Sequence, residues 1–450
     1  MAKKFKFFDT YSSSLVDFVP LKEGEVSIYY CGPTVYNYAH IGNLRPVITF
    51  DLLFRVLKEA GYKVRMISNY TDIDDKIIKE AIKENRTEKE ISSFYIEQYE
   101  KNLKDLNILP LENHPRVSNY IDEIVDFIEK IIENGHAYKA HGDVYFRVSD
   151  FASTYGNLSK MKIDDLVSGA RISKDDSKES PLDFALWKYT DDEGIKFDTK
   201  LGLGRPGWHT ECVVMINSYF KTPLIDIHGG GFDLKFPHHE NEMVQSMAYS
   251  GTRLANYWMH CGFILMNNEK MSKSLGNLVL AKDAIAKFGG NAIRHLFLST
   301  YYRSPINFTE QAITTSVNEV KKYETIYRKL EAKKQLNSLS LSSNLDEGIY
   351  NAFMEHLLND LNVSNAFTEL EKTVKSANVL LRKNDIDLEE FSKVYNTFNK
   401  LISIIGFSFD ELKITEEDKE LYSKYMDARK NKDFETSDKY RPLLIEKGII

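Results

Sequence analysis

Histidine is concentrated in one stretch of this 450-residue chain, close to a cysteine and to acidic residues. Five of the eleven histidines fall within 52 residues: His209, His228, His238, His239 and His260. Pro237 suits the first position of a helix, so His238 and Glu242 would share one helix face. With Cys212 they supply sulfur, nitrogen and oxygen, an acceptable set of zinc ligands. A helix start with acidic capping residues is the alternative explanation.

Two further segments have the chemistry of phosphate binding. The first is His40-Ile41-Gly42-Asn43, where a glycine, free backbone N–H groups and a histidine would meet at a helix start. The second is Lys270–Asn277, KMSKSLGN, in which Lys270 and Lys273 could stabilise a triphosphate as its charge rises during reaction. A capped helix start and a solvated lysine loop are the simpler alternatives. The eight-residue string is the more specific signal of the two.

A glycine triplet with a nearby acid, Gly229–Asp233, follows the apolar run 224–227. Bare backbone at Gly230 would allow a nucleoside to approach, and the Asp233 carboxylate suits ribose hydroxyls. A plain tight turn explains the glycines equally well. The acidic segment Thr71–Lys76 is better explained as a helix N-cap with acidic first-turn residues than as a metal site.

The elements that position these residues begin with a strand–helix–strand unit. Residues 26–31 form a β-rich run, apolar residues then recur at helical spacing up to Gly61, and residues 62–70 resemble a second strand. Short links favour parallel strands with a right-handed crossover. Ligands of open parallel sheets bind beyond the carboxyl ends of the strands, so we expect residues 31–43 and 69–76 to face one crevice.

Composition limits the class of protein. At 450 residues, two to four domains are expected, and no run of 18 apolar residues predicts a membrane span. The N-terminal residues lack the features of a secretory signal, and three cysteines make a poor disulfide scaffold, so we expect a cytoplasmic protein. The net charge of −7 excludes a global basic field, so any nucleic-acid contact must be local.

Six motifs, in order along the chain, resemble those of a known enzyme family. They are CGPTVYNYAHIGN (31–43), SNYTDIDDK (68–76), WHTEC (208–212), GGGFDLKFPHHENE (229–242), YWMHCGFI (257–264) and KMSKSLGN (270–277). HIGN and KMSKS resemble the paired ATP signatures of class I aminoacyl-tRNA synthetases, and the whole set resembles the cysteinyl-tRNA synthetases. The first signature of that family ends in histidine, where this chain has Asn43. The family usually runs on into a short segment with a Gly-Thr-x-Trp pattern, which the sequence ending at Ile450 does not contain, and this departure concerns the completeness of the anticodon contacts.

The resemblance implies an α/β fold and a domain order. A Rossmann-type parallel-sheet catalytic domain (1–115 and 200–256) would be split by a connective insertion (116–199). A linking domain bearing KMSKS (257–320), a helical bundle (321–405) and a small anticodon-binding region (406–450) would follow. The polar stretch 173–180 is predicted to be a loop within the insertion, and the Ser/Asn-rich stretch 336–344 a loop between helices.

The resemblance also implies the activity and the roles of residues. Cysteine would be activated by ATP with Mg²⁺ and transferred to tRNA(Cys) by a monomer without membrane contact. One zinc ion would be held by Cys31, Cys212, His238 and Glu242. His40, Asn43, Lys270 and Lys273 would contact the ATP phosphates, Gly230 and Asp233 the adenosine, and Thr71 and Trp208 the amino acid. Cys261 matches no ligand position.

Two alternatives to a synthetase remain open. A related ligase joins activated cysteine to an amino sugar, but it should lack the long region that follows Phe308 here. A catalytically inactive tRNA-binding paralogue is disfavoured by the intact lysines of KMSKS. The segment 320–334 carries six lysines and arginines, which suit phosphate contact or a solvated helix face equally.

Overall fold

The computed structural model describes residues 3–162, 178–271, 276–383 and 385–450. The chain divides into two units, Met1–Ala286 with Tyr302–Asn307 and Lys287–Tyr301 with Phe308–Ile450. The strands are β1 (Lys6–Asp9), β2 (Ser14–Asp17), β3 (Glu25–Tyr30), β4 (Lys63–Ile67), β5 (Ala137–Ala140), β6 (Asp143–Phe146), β7 (Phe184–Tyr189), β8 (Phe197–Thr199), β9 (Gly202–Pro206), β10 (Ile225–Gly231), β11 (Ala255–Cys261), β12 (Ile264–Met266), β13 (Glu269–Lys270) and β14 (Ile306–Phe308).

The helices of the described chain complete this set. They are α1 (Ile41–Glu59), α2 (Asp75–Glu84), α3 (Glu88–Asp105), α4 (Ile121–Glu133), α5 (Glu211–Phe220), α6 (His238–Ser250), α7 (Ala281–Phe288), α8 (Gly290–Ser299), α9 (Glu310–Leu336), α10 (Glu347–Leu358), α11 (Val363–Arg382), α12 (Leu388–Ile405), α13 (Glu416–Lys430) and α14 (Phe434–Glu446). None of the helices in these described stretches has the length and apolar character needed to cross a lipid bilayer.

A parallel sheet of four strands, in the order β11-β10-β3-β4, organises the first unit. The predicted strand–helix–strand unit is confirmed as β3, α1 and β4. Apolar side chains of α1 pack at helical spacing against the sheet, and Gly61 follows the helix with a φ of +95°, a left-handed conformation that favours glycine. The β3 segment EVSIYY alternates between half-buried Glu25 and Ser27 and buried Val26 and Ile28, and it becomes buried throughout at its carboxyl end, where the cleft lies.

An antiparallel sheet, in the order β5-β6-β7-β9-β8, lies within and just beyond the predicted insertion. Helix α4, which precedes this sheet, shares one hydrophobic core with α5 and α6 of the parallel-sheet layer. The polar stretch 173–180 falls largely outside the described residues. The proposed boundaries of the insertion and of the other domains stay predictions.

The second unit is built from helices. Helices α9, α10, α11 and α12 pack on one another, and the loop between α9 and α10 contains the Ser/Asn-rich stretch, as predicted. Helices α13 and α14 form a hairpin whose small apolar core includes Tyr425, Leu444 and Ile449. This arrangement agrees with a helical region that follows the α/β unit.

Candidate active site

A cleft of about 450 Å³ opens at the carboxyl edge of the parallel sheet. Its walls come from the loop after β3 (residues 31–40), the first turns of α1 and α2, helix α3, and the segments after β10 and β11. Residues 31–40, 42 and 43 line this cleft as predicted, whereas Lys76 alone of residues 69–76 lies on its wall. Cys31 and Trp208 lie on its wall, and so do Asp233 and Met271.

Four potential metal ligands meet beside this cleft. Cys31 follows β3, Cys212 lies in the first turn of α5, and His238 and Glu242 share a face of α6. The Cys31 and Cys212 Sγ atoms are 3.8 Å apart, and 3.6 Å separates Cys212 Sγ from His238 Nε2. Glu242 Oε1 lies 3.9 Å from Cys31 Sγ and 2.9 Å from His238 Nε2. The structure thus brings together all four residues singled out as metal ligands.

These separations fit a tetrahedral zinc ion. Zinc bonds of about 2.3 Å to sulfur and 2.0–2.1 Å to nitrogen place two sulfurs about 3.8 Å apart and a sulfur and a nitrogen about 3.6 Å apart. The distances at Cys212 match both values. The contact between His238 and Glu242 is a few tenths of an ångström shorter than the tetrahedral edge of about 3.3 Å that the same bond lengths give. Two sulfurs, a nitrogen and an oxygen are also a donor set that zinc accepts.

A second set of donors shares Cys31 and Glu242 but uses His228 and His239. His239 Nε2 lies 3.3 Å from Cys31 Sγ, but His228 Nε2 lies only 2.6 Å from Glu242 Oε2, well below the tetrahedral edge of about 3.3 Å and typical of a direct hydrogen bond. The other nitrogens of these rings contact the Tyr29 carbonyl oxygen and His260 Nε2. Both rings are therefore better suited to orient Glu242 and Cys31 than to replace Cys212 and His238.

The electrostatics of the cluster favour a bound cation. Contact with Cys31 lowers the pKa of the Cys212 thiol to about 7, against the effect of burial. Burial and the neighbouring Cys212 raise the pKa of Cys31 well above its usual value. Although burial opposes both shifts, Glu242 raises the pKa of His238 to about 10 and His238 keeps the pKa of Glu242 well below normal. The protons of the cluster are therefore held by His238 and Cys31, and a metal cation bound here would displace them.

The first phosphate signature forms the N-terminus of α1. His40 is the N-cap residue, and its backbone N–H donates to Asn43 Oδ1 at 3.0 Å. A Cβ atom at position 42 would lie 2.8 Å from His40 Nδ1, so glycine lets the imidazole fold over the helix start. Both His40 and Asn43 line the cleft. The side-chain oxygen of Asn43 is occupied by this bond, which leaves the side-chain amide nitrogen of Asn43 as the donor for a phosphate.

The described residues on either side of the second signature lie near the first. Lys270 ends β13, Met271 lines the cleft, and Lys273 lies outside the described residues. After the string, the Ile41 N–H donates to the Val279 carbonyl and the Ala281 N–H donates to the Ala39 carbonyl. These backbone bonds join the segment that follows the second signature to the residues that flank the first, although about 230 residues separate the two in sequence.

The two residues predicted to contact the adenosine, Gly230 and Asp233, differ in their position relative to the cleft. Gly230 lies inside β10, paired with His260 of β11, whereas Gly231 and the exposed Asp233 line the cleft. Of these two glycines, Gly231, the last residue of β10, is therefore the one whose bare backbone lines the cleft. Sequence could not place the end of β10 to one residue, and a shift of one residue turns a strand position to the opposite face.

The two residues predicted to contact the substrate amino acid, Trp208 and Thr71, also differ in their position relative to the cleft. Trp208 is 42% exposed, lines the cleft and stacks on the His238 ring, with 4.5 Å between ring centroids. Thr71 is buried behind the wall and donates from Oγ1 to Glu211 Oε2 at 3.3 Å. Glu211, itself 2% exposed, was not singled out by its sequence context. Its partner lies 140 residues away, so no local pattern could have indicated it.

Gly32 is a second residue that sequence reasoning missed. A Cβ at this position would lie 1.7 Å from the Asn69 carbonyl oxygen, because the chain segments after β3 and β4 approach closely there. The Gly32 N–H also donates to Asn69 Oδ1 at 2.9 Å. Glycine is thus required to hold the loop that carries Cys31.

We expect Gly32→Ala to displace Cys31 and to lower both metal retention and activity, the latter on the order of 100-fold, because small misplacements at a site are costly. Metal content after dialysis and cysteine-dependent ATP–pyrophosphate exchange measure the two effects. Gly348→Ala, on an exposed turn of α10, is the control. Normal metal retention in Gly32→Ala would contradict this role.

The basic segment 320–334 is largely engaged within its own unit. Lys322 Nζ contacts Glu319 and Glu371, and the Arg328 guanidinium pairs with Glu324. Lys333 Nζ donates to the carbonyls of Leu380 and Lys383 at 3.0 and 2.7 Å. Lys334 contacts Glu331 and Tyr395. These contacts favour a structural role over phosphate binding for most of the segment.

A parallel sheet with the first signature at its carboxyl edge agrees with a class I aminoacyl-tRNA synthetase, and the family comparison shows this class. The family model for the class I (C) tRNA synthetase catalytic domain matches residues 17–318, and a DALR domain model matches residues 352–410. A methionyl-tRNA synthetase of Mycobacterium tuberculosis, solved with methionyl-adenylate, shares the fold with a TM-score of 0.60 at 13% identity, covering 85% of this chain and 89% of that one.

Sequence comparison with related proteins identifies the family within this class. A cysteine–tRNA ligase of Mesoplasma florum is 41% identical over 446 residues, which cover 99% of this chain and all of that one. Another, of Halalkalibacterium halodurans, is 41% identical over 98% of this chain and 96% of its own length. The chain belongs to the cysteine–tRNA ligase family.

Proposed function

We propose that this chain activates L-cysteine with ATP and transfers the cysteinyl group to tRNA(Cys). In the first step a cysteine carboxylate oxygen attacks the α-phosphorus, the bond to the bridging oxygen breaks, and pyrophosphate leaves. In the second step a hydroxyl oxygen of the terminal ribose of the tRNA attacks the carbonyl carbon. An ester forms, AMP leaves with the bonding electrons, and the hydroxyl proton is released. The observation that carries the proposal is the pair of phosphate signatures beside a thiol-rich ligand set.

The residues of the cleft divide these tasks. His40 and the Asn43 amide would donate to ATP phosphates, with Mg²⁺ entering on the nucleotide. Lys270 and Lys273 would stabilise the charge that develops as pyrophosphate leaves. On the far side of the cleft, Gly231 would allow the adenosine to approach the backbone, and the Asp233 carboxylate would accept from ribose hydroxyls. The protein thus acts through positioning and charge.

The ligand set would select the amino acid. Zinc held by Cys31, Cys212, His238 and Glu242 would supply a soft Lewis acid with affinity for the cysteine thiolate. The Trp208 ring, stacked on His238, would cover the substrate from the solvent side. His228 and His239 would keep the Glu242 carboxylate and the Cys31 sulfur oriented. Thr71 would act indirectly, through its bond to Glu211.

The metal assignment predicts one zinc ion per chain, lost in Cys212→Ala. The matched control is Cys261→Ala, because Cys261 is equally buried but lies outside both ligand sets. Burial raises the pKa of Cys261 to about 11, which keeps it a thiol. Elemental analysis of protein purified without chelators measures the number of zinc ions per chain. Zinc retained by Cys212→Ala, or absent from the unsubstituted chain, would contradict the assignment.

Cysteine-dependent ATP–pyrophosphate exchange tests the activation step without tRNA. We expect exchange that requires cysteine, because the isotope returns to ATP only through a reversible adenylate. An inactive tRNA-binding paralogue would show no exchange. The cytoplasmic location and the monomeric state stay predictions.

A further inference from the structure

One wall of the cleft carries none of the residues assigned to the activation step. Strand order places β11 and β10 at one side and β4 at the other. The nucleoside residues Gly231 and Asp233 follow β10, and Cys31 follows β3. Lys76 lies in the first turn of α2, after β4, and β3 separates β4 from β10 in the sheet. On this wall it is accompanied by Tyr36, Tyr95 and Tyr99.

The Lys76 ammonium is available to a ligand. In the described parts of the chain it has no carboxylate within ion-pair distance, and Nζ lies 5.5 Å from the centroid of the Tyr36 ring. The side chain is exposed toward the cleft rather than buried in the core. Such a cation beside an aromatic face is held in place without being neutralised.

The nearby acids are already engaged. Asp72 accepts from the N–H and the hydroxyl of Ser118, at 3.0 and 2.6 Å. Asp74 caps α2 by accepting from the Lys76 N–H at 2.8 Å. Asp75 faces the Arg205 guanidinium at 3.8 Å. None of these three residues is among those that line the cleft, so Lys76 is the charged side chain that this wall of the described chain presents to it.

We propose that Lys76, positioned by Tyr36, binds the phosphodiester that joins the last two nucleotides of the tRNA. This inference rests on the proposed function and concerns its second step. A tRNA end is the only substrate of that reaction that carries a phosphodiester, and its terminal ribose must reach the activated carboxyl group near Cys31. A cation on the wall opposite the nucleotide side holds the polynucleotide where its hydroxyl can approach.

Measuring the activation step and the transfer step separately distinguishes a role of Lys76 in tRNA binding from a role in activation or folding. Lys76→Met removes the charge and keeps the length of the side chain. We expect ATP–pyrophosphate exchange to be unchanged, and transfer of cysteine from preformed enzyme-bound adenylate to subsaturating tRNA(Cys) transcript to fall about tenfold or more, the typical weight of a hydrogen bond to a charged group. Lys76→Arg should restore transfer. Lys79→Met, on an exposed position of the same helix outside the cleft, is the control.

Salt dependence gives a second readout. The slope of the logarithm of kcat/KM for tRNA against the logarithm of salt concentration should become shallower by about 0.7, the value for one single-strand phosphate contact. Equal loss of exchange and transfer in Lys76→Met, or unchanged transfer, would overturn the inference. Absence of cysteine-dependent exchange in the unsubstituted chain would instead contradict the proposed function itself.

Discussion

Lys273→Ala is expected to slow cysteinyl-adenylate formation by about 10²–10³-fold, the usual effect of removing one group that stabilises transition-state charge. The lysine belongs to the KMSKS string, and the segments on either side of it reach the cleft: Met271 lines the wall, and Val279 bonds to the start of α1. Because the charge acts chiefly in the transition state, the affinity for ATP should change little. Single-turnover adenylate formation measures the rate.

Two controls make the Lys273 experiment specific. Lys58→Ala removes an exposed lysine from the last turn of α1, at the end of the helix away from the cleft, and should leave the rate unchanged. Zinc content and the far-ultraviolet circular dichroism of Lys273→Ala should match those of the unsubstituted chain. A normal single-turnover rate in this variant would mean that the string does not act on the transferring phosphates.

Discrimination against serine should be the second large effect. Serine differs from cysteine by oxygen in place of sulfur, and an apolar pocket separates such close analogues by only about 10–200-fold. A free thiol has a pKa of about 8.5, and once it loses its proton the thiolate is a strong ligand for zinc. A hydroxyl does not ionise readily and is a much weaker ligand. By analogy with sites that lose a specific polar partner, we expect exchange with serine to be lower by at least about 10⁴-fold.

Such discrimination would make an editing site unnecessary. We therefore expect this protein to hydrolyse mischarged seryl-tRNA no faster than the spontaneous rate. Exchange assays at matched cysteine and serine concentrations, and the decay of seryl-tRNA with and without the protein, measure the two quantities. Robust serine activation followed by rapid clearance of the product would contradict both expectations.

Local patterns were sufficient for parts of this site. The four-residue spacing of His238 and Glu242 predicted their shared face on α6, and the β-rich run before Cys31 predicted its place at the carboxyl edge of the sheet. Both depend only on the periods of helix and strand. The glycine after α1 likewise has the left-handed conformation that its position predicted.

The other residues of the site are brought together by long-range packing, which local sequence patterns do not reveal. His239 approaches Cys31 from 208 residues away, and its other nitrogen contacts His260 on β11. Their roles depend on how α6 packs on the sheet, which no spacing reveals. The basic segment 320–334 shows the opposite case. Its charges suggested phosphate contact, but Lys322 and Lys333 are engaged by acids and carbonyls that only the folded helices bring near.

Charging of purified tRNA(Cys) tests the central claim most directly. The protein would be given ATP, labelled cysteine and the tRNA, with an amino sugar offered as acceptor in a parallel reaction. We predict that label becomes esterified to the tRNA and that none joins the amino sugar, that metal-stripped protein fails, and that one equivalent of zinc restores charging. Cysteine-dependent exchange without charging, or transfer of cysteine to the amino sugar, would contradict the account.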